Sequence, residues 1–185
     1  QITYNIDGTS TVYNALGSAE THEYDSRNTI TGTIAPLGSE SSRTYDDSLR
    51  PATITDPGGR TTTLTWSENG YNLTSVEDAL GNETIITYDA LNNPTSLVDA
   101  GGYLTTFEYD GTLLMGTIDA LNGETSYAYT EEGFVESVTG PTGQTTSYTY
   151  DEHGQRTSMT DPSGNTWHYA YDSLGRMTDI TDPLG

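Results

Sequence analysis

The 185-residue sequence contains no cysteine and no lysine. Without cysteine there is no disulfide framework and no thiolate metal site. Without lysine, six arginines stand against 27 acidic residues, for a net charge of −21. Such a surface repels phosphates and anionic headgroups, which sets nucleic acid, anionic membranes and sulfated glycans aside as partners. Long apolar runs are missing too. Nothing approaches the roughly 20 residues that span a bilayer. No basic stretch leads into an apolar one as in a signal peptide, so any export signal is expected outside this segment. Hydrophobic residues make up 32%, below the roughly 45–50% of ordinary globular domains. The charge suits an extracellular or salty setting, where repulsion is screened. What the sequence does have is tyrosine, 14 copies beside two tryptophans, and their regular placement separates the chain from a disordered acidic tail.

The regularity is a repeat, and a repeat precedes every other fold argument. Tyr24-Asp25, Tyr45-Asp46, Tyr88-Asp89, Tyr109-Asp110, Tyr150-Asp151 and Tyr171-Asp172 share one phrase. Trp66 and Tyr129 fill the two gaps in phase without the Asp, and Tyr4 extends the series toward the N-terminus. Successive steps from Tyr4 are 20, 21, 21, 22, 21, 20, 21 and 21 residues. A second landmark, Asp-Pro-x-Gly or a variant, keeps the same phase: "APLG" at 35–38, "DPGG" at 56–59, "DALG" at 78–81, "DAGG" at 99–102, "DALN" at 119–122, "GPTG" at 140–143, "DPSG" at 161–164 and "DPLG" at 182–185. Residues 1–185 therefore read as one array of about nine repeats, with no separate domain.

Between the turns the period is two. Thr84-Ile86-Tyr88, Thr105-Phe107-Tyr109, Thr146-Tyr148-Tyr150 and Trp167-Tyr169-Tyr171 alternate with small polar residues. That is a strand with one aromatic and one small polar face. A second strand follows each Tyr-Asp, carrying Ile54, Val76, Leu97, Val138, Met159 or Ile180 near the next turn. Gly or Asn at 69–70, 92–93, 133, 154 and 175 supplies the positive φ of the turn between them. The Asp after the Tyr is placed to accept backbone N–H groups there, and the Pro of the other turn presets its φ. No stretch sustains a helical period. His22 and Arg43 occupy the column that later holds Leu64 to Tyr169, which expects a polar neighbour or a less buried edge. Two strands per repeat give about 18 strands, a flat width on the order of 85 Å at strand spacing. Open sheets of that size curl. A solenoid with one coil per repeat fits the same periodicity.

The chemistry-bearing residues are repeated or isolated. Asp46-Asp47, Glu77-Asp78 and Glu131-Glu132 are carboxylate pairs, but Asp recurring at fixed turn positions answers to turn chemistry rather than acid–base work. His22 falls on the aromatic face, His168 on the opposite face and His153 in a turn, so they share no metal site. No loop has EF-hand spacing for calcium. The sequons at Asn72 and Asn82 arise easily in a Thr-rich chain. Aromatic columns could stack sugars, yet at alternating strand positions they are expected to form a sheet's packed face. No enzyme activity, cofactor or metal is expected, and the signature residues are read as structural.

The phrases "TYDALNNPTSLVDA" and "YAYDSLGRMTDITDPLG" resemble the YD repeat of the RHS/YD-repeat proteins. That pattern runs roughly Gly-Asn-x-Thr-x-Tyr-x-Tyr-Asp-x-x-Gly-Arg-Leu-x-x-x-x-Asp-Pro-x-Gly, and residues 164–185 follow it closely. The resemblance implies an all-β fold of tandem hairpins in one long, curled or spiralling antiparallel sheet. It also implies a hollow shell around a polypeptide in bacterial toxin complexes and RHS toxins, or a barrel in teneurin adhesion receptors. The family's self-cleaving core is not found in this sequence. The expected function is therefore non-catalytic: a wall segment of an RHS-type shell or large surface protein. The other reading is an extracellular or cell-surface adhesion fibre whose units join end to end. The partners expected are further repeats, in the same chain or in end-to-end copies, and an enclosed polypeptide. No cap is recognisable at either terminus, which expects a fragment or a unit of something larger.

Overall fold

Threonine, tyrosine and the other β-formers of the sequence make strands and nothing else. The computed structural model describes residues 1–185 and contains eighteen strands without a helix. No helix is therefore long and apolar enough to cross a membrane. The chain divides into two compact units, residues 1–87 with 98–102, and residues 88–97 with 103–185.

The first unit carries β1 (Ile2–Tyr4), β2 (Ser10–Tyr13), β3 (Ala19–Tyr24), β4 (Ile30–Ile34), β5 (Glu40–Tyr45), β6 (Pro51–Thr55), β7 (Thr61–Trp66), β8 (Leu73–Glu77) and all but the last residue of β9 (Glu83–Tyr88). Each pairs antiparallel with its neighbour in sequence. The second unit carries most of β10 (Pro94–Val98), then β11 (Leu104–Asp110), β12 (Leu113–Ile118), β13 (Glu124–Tyr129), β14 (Val135–Thr139), β15 (Thr145–Tyr150), β16 (Arg156–Thr160), β17 (Thr166–Tyr171) and β18 (Met177–Thr181). From β11 to β18 the pairing is again antiparallel and sequential. The repeat is thus a hairpin, and the one-coil solenoid is ruled out.

Two kinds of contact alternate. Within a hairpin the ladder runs the length of the strand and breaks at a bulge just before the repeat Tyr or Trp, as between Ala128 and Tyr129 or between Thr149 and Tyr150. Between hairpins the ladder is short. The β14–β15 seam has only Ser137↔Ser147, Val138↔Thr146 and Thr139↔Thr145, all near the Asp-Pro-x-Gly end. The seams β4–β5, β6–β7, β8–β9, β12–β13 and β16–β17 are equally brief. Each seam is therefore closed at one rim and open toward the Tyr-Asp turns.

The two faces differ as the period-two pattern requires. Tyr127 lies opposite Val138, Tyr148 opposite Met159 and Tyr169 opposite Ile180 on one face. The other face is lined by hydroxyls that bond across strands: Thr44 to Thr53 at 2.7 Å, Thr55 to Thr61 at 2.9 Å, Thr139 to Thr145 at 2.8 Å and Thr160 to Thr166 at 2.9 Å. Such cross-strand pairs contribute roughly 0.2–1 kcal/mol each. The expectation of a packed aromatic face needs correcting. No hydrophobic side chain is fully buried, and Ser10 alone is, at 2% exposure. A single layer of sheet covers neither of its own faces, so the aromatic columns stay half-buried.

Candidate functional site

The repeated residues converge on the turns. In the Asp151 turn, the Asp151 N–H donates to the Gln155 carbonyl and the Gly154 N–H to the Asp151 carbonyl, both at 3.0 Å. Gly154 has φ 76°. This is a type I turn closed by a left-handed residue. The Asp-Pro-x-Gly turns are built identically: Asp161 N–H to Asn165 carbonyl at 2.9 Å, and Gly164 N–H to Asp161 carbonyl at 3.0 Å. The two landmarks of the sequence are one device, used at both ends of most strand pairs.

The Asp side chain holds that device shut. Asp151 Oδ1 accepts the N–H groups of His153 and Gln155, and Oδ2 accepts Gln155 Nε2, all at 2.9 Å. In six further turns the residue four past the Asp supplies the third bond. Arg50 bonds Asp46, Arg60 bonds Asp56, Asn82 bonds Asp78, Asn93 bonds Asp89, Asn165 bonds Asp161 and Arg176 bonds Asp172. In the first turns Arg27 reaches Asp25 from two residues on. These donors hold the carboxylates below their ordinary value of 3.8. For Asp151 the largest cause is the Gln155 backbone N–H. For Asp172 it is the Arg176 guanidinium, and for Asp161 the Asn165 amide.

The tyrosine acts one hairpin back. The hydroxyl of Tyr45 donates to the Ile30 carbonyl at 3.0 Å, Tyr129 to Leu114 at 2.7 Å, Tyr150 to Val135 at 2.8 Å and Tyr171 to Arg156 at 3.0 Å. Trp66 does the same with its indole N–H, 2.8 Å from the Pro51 carbonyl, which explains why Trp can stand in the Tyr column. Each acceptor lies 15 residues upstream, in the open half of a seam. The ladder leaves that carbonyl without a backbone partner, and the aromatic donor fills the place. Burial raises the Tyr150 hydroxyl above its ordinary pKa, which keeps it a donor. Tyr24 instead meets the Ser10 hydroxyl at 2.8 Å.

Stitches also run forward along the rim. Arg27 Nη1 donates to the Asp46 carbonyl at 3.0 Å, Arg50 Nη1 to the Ser67 carbonyl at 3.4 Å and Asn93 Nδ2 to the Gly111 carbonyl at 2.7 Å. Phe134 holds the equivalent place by stacking on Tyr150, ring centres 5.1 Å apart, and lying against Gly154. A Cβ at Gly154 would collide with that ring, so the glycine is required twice over, by φ and by space.

The exceptional steps have local causes. The 22-residue step after Trp66 contains a turn longer by one residue, with the Ser67 N–H reaching the Asn72 carbonyl. The 20-residue step after Tyr109 contains a turn shorter by one, because Asp110 is paired with Leu113 inside the ladder. Asp110 therefore does not clamp a turn as its Tyr-Asp partners do. The 20-residue step after Tyr4 lacks the bulge. By contrast, the return from the Asp-Pro-x-Gly position to the next Tyr or Trp, Asp56 to Trp66 or Asp161 to Tyr171, never changes length.

The candidate acid–base residues are not brought together. Asp46, Asp89, Asp151 and Asp172 are tied within their own turns. The register places His22 on the aromatic face opposite Thr33 and His168 on the hydroxyl face opposite Ser158, while His153 is in a turn. No group of His, Asp and Glu has the arrangement of a metal site. The donor four residues past many of the turn Asp residues was within reach of the sequence, since Arg, Asn or Gln recurs there.

The RHS Repeat family matches residues 45–82, 66–104, 88–112, 129–166 and 150–185. Among curated proteins none matches the chain. Among solved structures, TcdB2-TccC3 is 18% identical with a TM-score of 0.67 over 95% of this chain and 12% of that one. TcdB2-TccC3 without its hypervariable C-terminal region is 17% identical with a TM-score of 0.66, over 95% of this chain and 11% of that one. The Photorhabdus luminescens Tc holotoxin pore is 17% identical with a TM-score of 0.65, over 96% of this chain and 11% of that one. At such identity the likeness is one of fold, and the chain spans about a ninth of the length of those proteins.

Proposed function

The chain belongs to the RHS repeat family, and from that premise we propose that it is a stretch of non-catalytic wall in a large RHS-type shell, outside the cell or at its surface. Its partners are then further repeats and a polypeptide held behind the wall. One observation carries this reading. The sheet is a single layer with no buried apolar core, and its repeated residues are engaged in stitching hairpin to hairpin. A surface built to continue and enclose uses its side chains in that way. An active site needs a unique constellation, and every carboxylate clamp here has copies.

Electron microscopy of the native, full-length protein tests the reading. A closed hollow particle with density inside is the expected result. A long filament overturns it and assigns the repeats to an adhesion or scaffolding fibre.

A further inference from the structure

Once turns and seams are accounted for, the aromatic face of the second unit is left over. Tyr127, Tyr148 and Tyr169 stand at equivalent positions of β13, β15 and β17, half-buried, with Ile180 beside them 58% exposed. One side chain of the protein already shows what this face accepts. The Arg156 guanidinium lies 4.7 Å from the Tyr169 ring centre and 5.7 Å from that of Tyr148. In the first unit a guanidinium also lies over a ring, Arg50 5.7 Å over Trp66, though that ring belongs to the stitching column. A guanidinium over a ring is drawn by the ring's quadrupole, and the attraction grows as water is excluded.

Charge points the same way. The chain carries −21. In the second unit Arg156 and Arg176 are the only arginines, and there is no lysine; Arg176 is bound to Asp172 at 2.7 Å. Glu131, Glu132 and Glu152 are exposed at the rim, and Glu136 is exposed on β14. Planar cations are thus wanted over the rings and positive charge is wanted at the rim. Arginine meets both demands, whereas lysine is a compact, strongly hydrated point charge.

We infer that the aromatic face of the second unit docks an extended, arginine-rich polypeptide, its guanidinium groups stacking on Tyr127, Tyr148 and Tyr169 while the rim carboxylates pair with its charge. This rests on the wall reading and gives the chemistry of what the wall holds.

The test is calorimetric titration of the chain with an alternating Gly-Arg peptide and a Gly-Lys peptide of equal length, at about 0.15 M salt. The Gly-Arg peptide is expected to bind more tightly. Tyr148→Leu and Tyr169→Leu each weaken it about threefold, the scale of one exposed ring contact, and the Phe variants at both positions leave it unchanged. Arg156→Gln, which uncovers two rings without altering a tyrosine, tightens binding more than Arg176→Gln, which removes the same charge at the rim. Equal binding of the two peptides with no response to the ring variants overturns the inference as plain counterion attraction, and so does absence of binding. Either failure leaves the shell reading intact, since particle shape decides that separately.

Discussion

Leu49 sits where asparagines and glycines sit in the other turns. Its φ is 64°, against 61° to 67° at Asn28, Asn92 and Asn122. A left-handed branched residue brings its Cβ close to the next carbonyl, at a cost of roughly 1–2 kcal/mol. Leu49→Gly is expected to raise stability by up to about 1 kcal/mol once glycine's greater unfolded freedom is subtracted. A shift of the denaturant midpoint to higher concentration checks it. The tyrosines make a sharper contrast. Tyr150→Phe keeps the ring and removes the bond to the Val135 carbonyl, for a loss of about 1 kcal/mol. Tyr127→Phe, whose hydroxyl bonds nothing in the protein, is expected to be near neutral. Equal effects in the two denaturation curves would refute the seam role. The sequence marked both residues as aromatic and in phase. It did not separate the stitching tyrosine from the face tyrosine, because the difference lies in a carbonyl 15 residues upstream that only strand pairing brings near.

The turn behaves as one element with one acid-sensitive part. Asp7, Asp25, Asp46, Asp56, Asp78, Asp89, Asp151, Asp161 and Asp172 are all held below 3.8 in the folded chain. A carboxyl depressed on folding contributes stability that is fully present above its unfolded value and lost as pH falls through the folded one. The chain is therefore expected to weaken below about pH 3.8, with melting temperature followed across pH. Asn14 shows what survives neutralisation, since its Oδ1 still accepts the N–H groups of Leu16 and Ser18 at 2.9 and 3.0 Å. Asp161→Asn should thus cost little at pH 7 and flatten the acid limb, while Asp161→Ala loses all three bonds at every pH. The turns, the positive φ and the Asp acceptor were legible from the Asp-x-x-Gly spacing. The identity of the two turn types was not, because Pro in one and Tyr before the other drew the reading toward two chemistries. The step lengths of 20 and 22 were visible as numbers, but telling a missing bulge from a shortened loop needed the register.

A compact 20.0 kDa chain exposes about 8,700 Å² by the usual scaling. This one exposes 12269 Å². The difference is the core it lacks, and unfolding therefore uncovers little new apolar surface. Its heat-capacity change should fall below the usual 12–15 cal/mol/K per residue or so. A calorimetric value at or above that range would mean that the aromatic face is covered in solution. The all-β hairpin array followed from period-two strands and phased turns, and RHS-repeat membership was within reach of the same residues. The absence of a core was not, since alternation says which side chains share a face and nothing about what lies over it.

The constant return segment works as a ruler. From Asp56 to Trp66, and likewise from Asp161 to Tyr171, ten residues carry the chain from one rim to the next aromatic stitch. Length varies only on the outward leg, where the turn after Trp66 already accommodates Tyr71 at 79% exposure. A foreign loop grafted at residues 70–71 should project from the rim and leave the melting curve close to its original position. One residue added between Asp161 and Tyr171 would turn every later side chain of that strand to the opposite face, and the graft would read out as a collapsed transition.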